Sequence, residues 1–364
     1  MHPDGYITNK QFFACFASLR EHPLPYTWRD GMRGGMERRT GSLIDVAPFT
    51  MATIVICVVA YVLIGLRAQG AANGGSLMSI QGNVLMVYGA SWPEGVWDGE
   101  WYRFLAPLFL HASLIHIGVN MYSFFHLGPG AEIHFGTRRF AAIFLLSGLG
   151  GVCLSQLLGG HLAVGASGSL FGILGAYLAV KVMACYDLRR ALKNSDVRRT
   201  FFIIILNLVL IGLAVPNIDN WGHVGGLIFG FLYGALFEYQ RTRRRLGVML
   251  LVPAILLSLT LVAACRWTYF SPYYHVHTGI KADEAGQTEL ADRHFDAAAA
   301  WSKWFFSPSA RDAIHNAAYD AQQRGDLMLR RRYAGVYLRI TPEGISGDRR
   351  QMEAIYGAPV EPPS

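Results

Sequence analysis

The stretch VGASGSLFGILGAY, residues 164–177, sets a serine between glycines at the head of a long apolar run. A membrane helix accommodates a serine easily, because its hydroxyl can bond back to a carbonyl one turn earlier. The alternative is that Ser167 is a nucleophile held inside a membrane. The rest of the chain has to decide between the two.

Working outward, 52% of the 364 residues are hydrophobic and only 16% are charged, where soluble domains carry about 25% charged residues. The mean hydropathy of +0.28 agrees. This is the composition of a polytopic membrane protein. The net charge of +7 must then be read by location. Five cysteines, at 15, 57, 153, 185 and 265, show no metal or redox spacing and suggest neither a disulfide framework nor a zinc site. No cofactor is implied. The early apolar stretch QFFACFASL is short and lacks a small-residue cleavage site, so a signal peptide is not expected.

A span needs about 20 mostly apolar residues. Seven candidates run at 46–66, 113–133, 139–159, 167–184, 200–216, 223–238 and 247–267. The second and sixth carry histidines and glycines, and polar groups inside a span are functional candidates by default. Arg29, Arg33, Arg38 and Arg39 precede the first span, and Arg138 and Arg139 separate the second and third. Arg189, Arg190, Lys193, Arg198 and Arg199 separate the fourth and fifth, and Arg241, Arg243, Arg244 and Arg245 the sixth and seventh. The alternate loops are nearly free of such charge. The positive-inside rule puts the N-terminus in the cytoplasm and the C-terminus outside a cytoplasmic membrane. Basic residues split over four loops also argue against nucleic-acid binding.

Residues 1–45 read as a cytoplasmic arm, 46–238 as a six-span core, and 239–267 as a basic loop with the seventh span. The segment 68–112, rich in Trp and Tyr, reads as an ordered outer loop at the lipid–water boundary. Residues 268–364 are charged, alanine-rich and helical in pattern, a small extracytoplasmic domain for binding a protein partner. Within it, ADRHFDAAAAWSKWFFSPS (291–309) and GDLMLRRRYAGVYLRITPE (325–343) align without gaps at an offset of 34. That alignment pairs Asp292 with Asp326, Phe295 with Leu329, Ala300 with Ala334, Phe306 with Ile340 and Pro308 with Pro342. The period resembles the tetratricopeptide repeat; a generic helical hairpin is the other reading.

Three clusters could carry chemistry: HASLIHIGVNMYSFFHLGPGAE (111–132), the Gly165-Ala166-Ser167-Gly168 turn, and NWGHVGGLIFG (220–230). His116 and Asn120, four apart, share a helix face. The second, fourth and sixth spans all start outside. His116, Asn120, Ser167 and His223 therefore converge on the outer half of the membrane from three separate spans. A serine hydroxyl needs an adjacent base, and His223 is best placed. His116, Asn120 and the Ser167 backbone N–H, at a helix start, supply donors for an oxyanion. Gly168 and Gly172, with Gly226 and Gly230, form small-xxx-small pairs that let the fourth and sixth helices approach closely. Asp219 reads as a cap of the sixth helix rather than a third catalytic member. His111 reads as a structural residue of the outer loop, and His126 and His134 as packing or interfacial groups. No histidine pattern matches a metal motif.

WYRFLAPLFLHASLIHIGVN, GASGSLFG and NWGHVGGLIFG resemble the intramembrane serine proteases of the rhomboid family, in order and at matching spacing over the first six spans. The resemblance implies a six-helix rhomboid bundle; with the seventh span and the helical repeat added, the expected fold is an all-α membrane protein with that bundle, one extra C-terminal transmembrane helix and a small α-helical, tetratricopeptide-like domain. It implies a Ser167–His223 dyad without an acid, and an oxyanion hole lined by His116 and Asn120. Trp101 and Arg103 match the family's Trp-x-Arg signature. Glu132 matches the acid that braces helix two, and Phe171 the aromatic on which the histidine packs. Gly165, Gly168 and Gly226 read as structural support for the site. The expected activity is endoproteolysis of transmembrane protein substrates near their outer end, within the lipid bilayer. The alternatives are a catalytically inactive rhomboid-like scaffold that binds membrane proteins, and a transporter.

Overall fold

The computed structural model describes residues 43–357 apart from 71–73, 160–161, 186, 215–218, 243, 267–270, 305–306 and 343–348. The readings at Arg29, Arg33, Arg38, Arg39, Cys15, Arg243 and Phe306 lie outside the described residues. Among those described the chain is all-helical, with isolated bridges in place of strands. Contacts divide it into two units, Met1–Cys265 and Arg266–Ser364.

Among the described residues, the first unit holds seven long helices: α1 (Pro48–Gln69), α2 (Leu114–Phe135), α3 (Thr137–Leu154), α4 (Ser167–Met183), α5 (Ser195–Ala214), α6 (Asn220–Thr242) and α7 (Arg244–Arg266). Pro48–Gln69 and Thr137–Leu158 are long and apolar enough to cross a membrane, and Ser167–Met183 and Leu251–Cys265 are shorter apolar helices. Their boundaries have local causes. Proline at the start of α1 has its φ already set for a helix. Ser113 caps α2 by accepting from His116 N at 3.2 Å. The α5 helix begins five residues before its apolar run because the Asn194 side chain accepts from the amides of Asp196 and Val197.

The basic loop expected from residue 239 is instead helical: α6 runs on to Thr242, and α7 starts at Arg244. This sequence holds no glycine or proline to stop the helix. Arg241 also bonds Glu238 one turn back, at 2.6 Å, which favours continuation.

The helices α3, α4 and α6 touch backbone to backbone. A Cβ added at Gly226 would stand 1.9 Å from the Gly168 carbonyl oxygen, and one at Gly230 2.0 Å from that of Gly172. A Cβ at Gly225 would meet the Gly150 carbonyl at 2.6 Å. The small-xxx-small spacing thus sets the α4–α6 separation. Below this seam, Phe124, Phe140 and Phe144 fill the core between α2 and α3. The α7 helix docks through Tyr233 of α6, whose hydroxyl donates to the Ala254 carbonyl at 3.0 Å and pairs with Ser258 Oγ at 2.6 Å.

The second unit consists of α8 (Pro272–Glu284), α9 (Thr288–Ser302), α10 (Pro308–Gln323), α11 (Leu327–Ile340) and α12 (Arg349–Gly357). Two hairpins repeat, α8–α9 and α10–α11. Each opens with a Ser-Pro cap, Ser271 accepting from Tyr274 N and Ser307 from Ala310 N. Each turns at a positive-φ glycine, Gly286 (φ 73°) and Gly325 (φ 75°). The ungapped 34-residue register is therefore not the structural one. It pairs Asp292, inside α9, with Asp326, which caps α11. It also pairs exposed Ala300 with buried Ala334. Aligning the turn glycines instead matches the buried pairs Ala282 with Ala321, Phe295 with Ala334 and Ala298 with Tyr337. The first helix of the second hairpin has 16 residues and that of the first has 13, so no ungapped offset fits the whole repeat.

Candidate active site

Four elements bring the sequence-predicted residues together. Ser167 is the first residue of α4, and His223 lies in the first turn of α6. The Ser167 Oγ and His223 Nε2 atoms are 2.8 Å apart. With Nε2 accepting from the hydroxyl, Nδ1 carries the ring proton; Nδ1 has no hydrogen-bond partner among the described residues. Asp219 lies elsewhere in function: its Oδ1 accepts from Gly222 N at 2.9 Å and its carbonyl from His223 N, capping α6. The imidazole is held instead by Phe171, one turn after Ser167, whose ring stacks on it at 4.7 Å and 23°. His223 is buried and Ser167 half-buried, which leaves the hydroxyl the more accessible of the two.

The stretch before Ser167 is fixed by the segment between α1 and α2. Ala163 and Ser91 exchange both backbone hydrogen bonds, at 2.8 and 3.0 Å. Gly165 N donates to the Pro107 carbonyl at 2.8 Å. Gly165 has φ 122°, a region that only glycine enters cheaply, and a Cβ there would lie 2.6 Å from His116 Nε2 and 3.8 Å from Asn120 Nδ2. The glycine thus presents its backbone directly to the two candidate oxyanion donors. Asn120 Nδ2 uses one hydrogen on the His116 carbonyl at 3.0 Å and keeps a second. Ala166 provides no side-chain cap for α4. The first amides of α4, including Ser167 N–H, therefore point their dipole at this same space. The neighbouring Ser169 donates to the Phe144 carbonyl at 2.7 Å, a packing contact.

The supporting residues act at a distance. Glu132 is buried and accepts from Phe49 N, Thr50 N and Thr50 Oγ1 at 3.0, 2.9 and 2.7 Å. It caps α1 from α2. Arg103 is buried in the segment between α1 and α2, with Nε on Glu100 at 2.6 Å and Nη1 on the Met86 and Ala90 carbonyls. That hydrogen bond holds the Glu100 carboxyl below its usual range. The Trp101 ring is half exposed beside Phe104, an anchor on the outside of the loop. His111 is buried with its ring 5.1 Å from His116, edge to face. His126 packs on Tyr122, and His134 Nε2 meets Glu238 Oε2 at 2.9 Å, tying α2 to α6 at the far end from Ser167.

Sequence spacing missed the Ser91–Ala163 bridge, the Pro107–Gly165 bond and the bond from Gln156 to Ser91. Each joins residues far apart in the chain through groups with no motif. Among the described residues no group of three or more metal-ligating side chains occurs.

Residues 98–240 match the Rhomboid domain family. The chain is 35% identical over 184 residues to the Rhomboid protease GluP of Bacillus subtilis (strain 168), covering 50% of this chain and 35% of the relative. It is 33% identical over 210 residues to RHOMBOID-like protein 2 of Arabidopsis thaliana, covering 49% and 65%. It is 29% identical over 187 residues to Rhomboid-like protease 1 of Toxoplasma gondii, covering 47% and 62%. These matches support the rhomboid family. The chain spans about a third to two thirds of the length of these curated relatives. The rhomboid match ends at residue 240, so α7 and the helical unit after it lie outside it.

Proposed function

We propose that this protein is an intramembrane serine endopeptidase of rhomboid type, cutting transmembrane segments of other proteins near their outer end. The observation that carries this reading is the 2.8 Å approach of Ser167 Oγ to His223 Nε2, under the Phe171 ring and beside Gly165, His116 and Asn120. His223 takes the hydroxyl proton as Ser167 attacks a substrate carbonyl. Asn120 Nδ2–H, His116 and the Ser167 N–H donate to the oxyanion. His223 then protonates the leaving amine, and water releases the acyl group by the reverse path. A substrate helix hides its carbonyls in its own hydrogen bonds, so segments with small or helix-breaking residues are the preferred class.

The charge pattern supports an orientation in a cytoplasmic membrane with Ser167 and His223 in the outer half and the C-terminal unit outside. The two repeated hairpins support a binding role for that unit, tetratricopeptide-like in character, towards a protein partner or the substrate itself. The test is cleavage of a single-span reporter by purified protein in liposomes, with products mapped by mass spectrometry. Cleavage that needs both Ser167 and His223 supports the reading. A wild-type protein that neither cleaves nor labels with a fluorophosphonate at Ser167 would instead support an inactive scaffold.

A further inference from the structure

Among the described cysteines, scattered in sequence, the fold brings Cys153 and Cys265 together. Cys153 lies in the last turn of α3, and Cys265 is the last residue but one of α7. Both are buried. Cys265 Sγ donates to the Cys153 carbonyl at 3.4 Å, which brings the two residues together. The residues are 112 positions apart. The Cys185 Sγ, by contrast, two residues past the end of α4, donates back to the Lys181 carbonyl at 3.4 Å.

Their depth adds a second argument, which rests on the orientation proposed above. The α3 helix starts at Arg138 and Arg139 and α7 at Arg244 and Arg245, the basic and therefore cytoplasmic ends. Both cysteines stand at the opposite end, next to the compartment where disulfides persist. Two residues placed at the outer face by separate charge clusters are found in contact. Cys265 is 1% exposed and one residue from the end of its helix, so a reagent reaches its sulfur through local opening of that end, which costs less than global unfolding.

We propose that Cys153 and Cys265 are a redox-modifiable pair, forming a disulfide that clasps α7 to the catalytic core. The co-reactant is a disulfide donor of the outer compartment, an oxidoreductase disulfide or a small-molecule one. The Cys265 thiolate attacks a donor sulfur, forming a mixed disulfide and releasing one donor thiolate. The Cys153 thiolate then attacks Cys265 Sγ, forming the intramolecular bond and releasing the second. The two cysteines lose two electrons and two protons, and the donor gains them. The closed loop, residues 153–265, contains both Ser167 and His223. On one side of it, Gly150 and Gly151 contact Gly222 and Gly225, the turns that carry His223. Oxidation therefore adds a covalent tie beside the α3–α6 contact to the docking that Tyr233 already gives the appended helix, and reduction removes that tie.

The test uses the full chain. In detergent, the protein is treated with the membrane-permeant dipyridyl disulfide, its remaining thiols are alkylated, and it is digested without reduction. The expected result is a linked peptide joining Cys153 to Cys265, lighter than the two thiol peptides by two hydrogens and absent after reduction. Cys153→Ser and Cys265→Ser should each abolish it, while Cys57→Ser and Cys185→Ser keep it. Oxidation should also raise the thermal midpoint reversibly. Free, alkylated Cys153 and Cys265 after treatment, or linkage of either to Cys57 or Cys185, would overturn the clasp. A second arm applies oxidised glutathione to one face of sealed vesicles. Linkage from the outer face supports oxidation there. Linkage in detergent but only from the cytoplasmic face would overturn the orientation and the outer donor, while leaving the pair itself established.

Discussion

Replacing Gly226 by alanine tests whether the α4–α6 seam sets the geometry of the dyad. The new Cβ would stand 1.9 Å from the Gly168 carbonyl oxygen, 2.7 Å from its carbon and 3.0 Å from its Cα. All three are backbone atoms, so no side chain can swing away. Reaching ordinary separation, about 3.5 Å, requires the helices to part by roughly 1.6 Å at this level. Gly168 adjoins Ser167, and Gly226 is one turn from His223, so most of that displacement reaches the dyad. An Oγ–Nε2 distance of 2.8 Å would exceed hydrogen-bond range, and a misplacement of about 1 Å costs on the order of 100-fold in rate. Overpacking should also destabilise the fold by about 1–3 kcal/mol. The assays are the rate of fluorophosphonate labelling at Ser167 and thermal unfolding in detergent. The control is Gly118→Ala, on an exposed face of α2 where a Cβ would meet nothing within 4 Å. That change should be neutral, or stabilising by up to about 1 kcal/mol. A Gly226→Ala protein that labels at the wild-type rate and unfolds at the wild-type temperature would refute the reasoning.

Glu132→Ala leaves three donors at the start of α1 without their acceptor and should destabilise the protein by about 3 kcal/mol or more, read by unfolding in detergent; Glu132→Gln, which keeps the acceptor oxygen, should lose less. Phe171→Ala removes the ring that holds His223 and should slow turnover about tenfold while the chain stays folded; an unchanged kcat would remove Phe171 from the site. In the second unit, His275 Nδ1 and His294 Nδ1 are 3.0 Å apart, and burial, then the His275 charge, lowers His294 from its ordinary value. Below about pH 6.5 the unfolded chain takes up a proton that the folded hairpin resists, so stability is full above that value and declines as pH falls. Hydrogen-exchange protection of α8 and α9, corrected for intrinsic rates, should fall on acidification in wild type and less so in His294→Phe; equal pH profiles would contradict this.

The helices were legible because apolar runs and basic clusters alternate along the chain. Each expected span overlaps a helix among α1–α7, with ends shifted by capping groups such as Asn194 and by the continuation of α6 past Glu238. The candidate site was legible for a different reason. Ser167, His223, His116 and Asn120 are polar groups in apolar surroundings, and the orientation expected from the charge pattern assigns them one depth. What supports the site was not legible. The Ser91–Ala163 bridge and the Pro107–Gly165 bond are made by backbone atoms, which leave no trace in side-chain pattern. Cys153 and Cys265 meet only because α7 docks on the core through Tyr233. The hairpin repeat was visible as similarity but misregistered, because α10 is longer than α8 and an ungapped comparison cannot absorb the difference.

The most direct test of the central claim is cleavage of a single-span reporter carrying small, helix-destabilising residues near its outer end, by wild type, Ser167→Ala and His223→Ala side by side in liposomes. Removing either member of an acting pair should lower the rate by on the order of 10⁶. The expected result is one cut near the outer end of the reporter, made by wild type alone. Equal cleavage by Ser167→Ala would contradict the assignment of the nucleophile and, with it, the proposed mechanism.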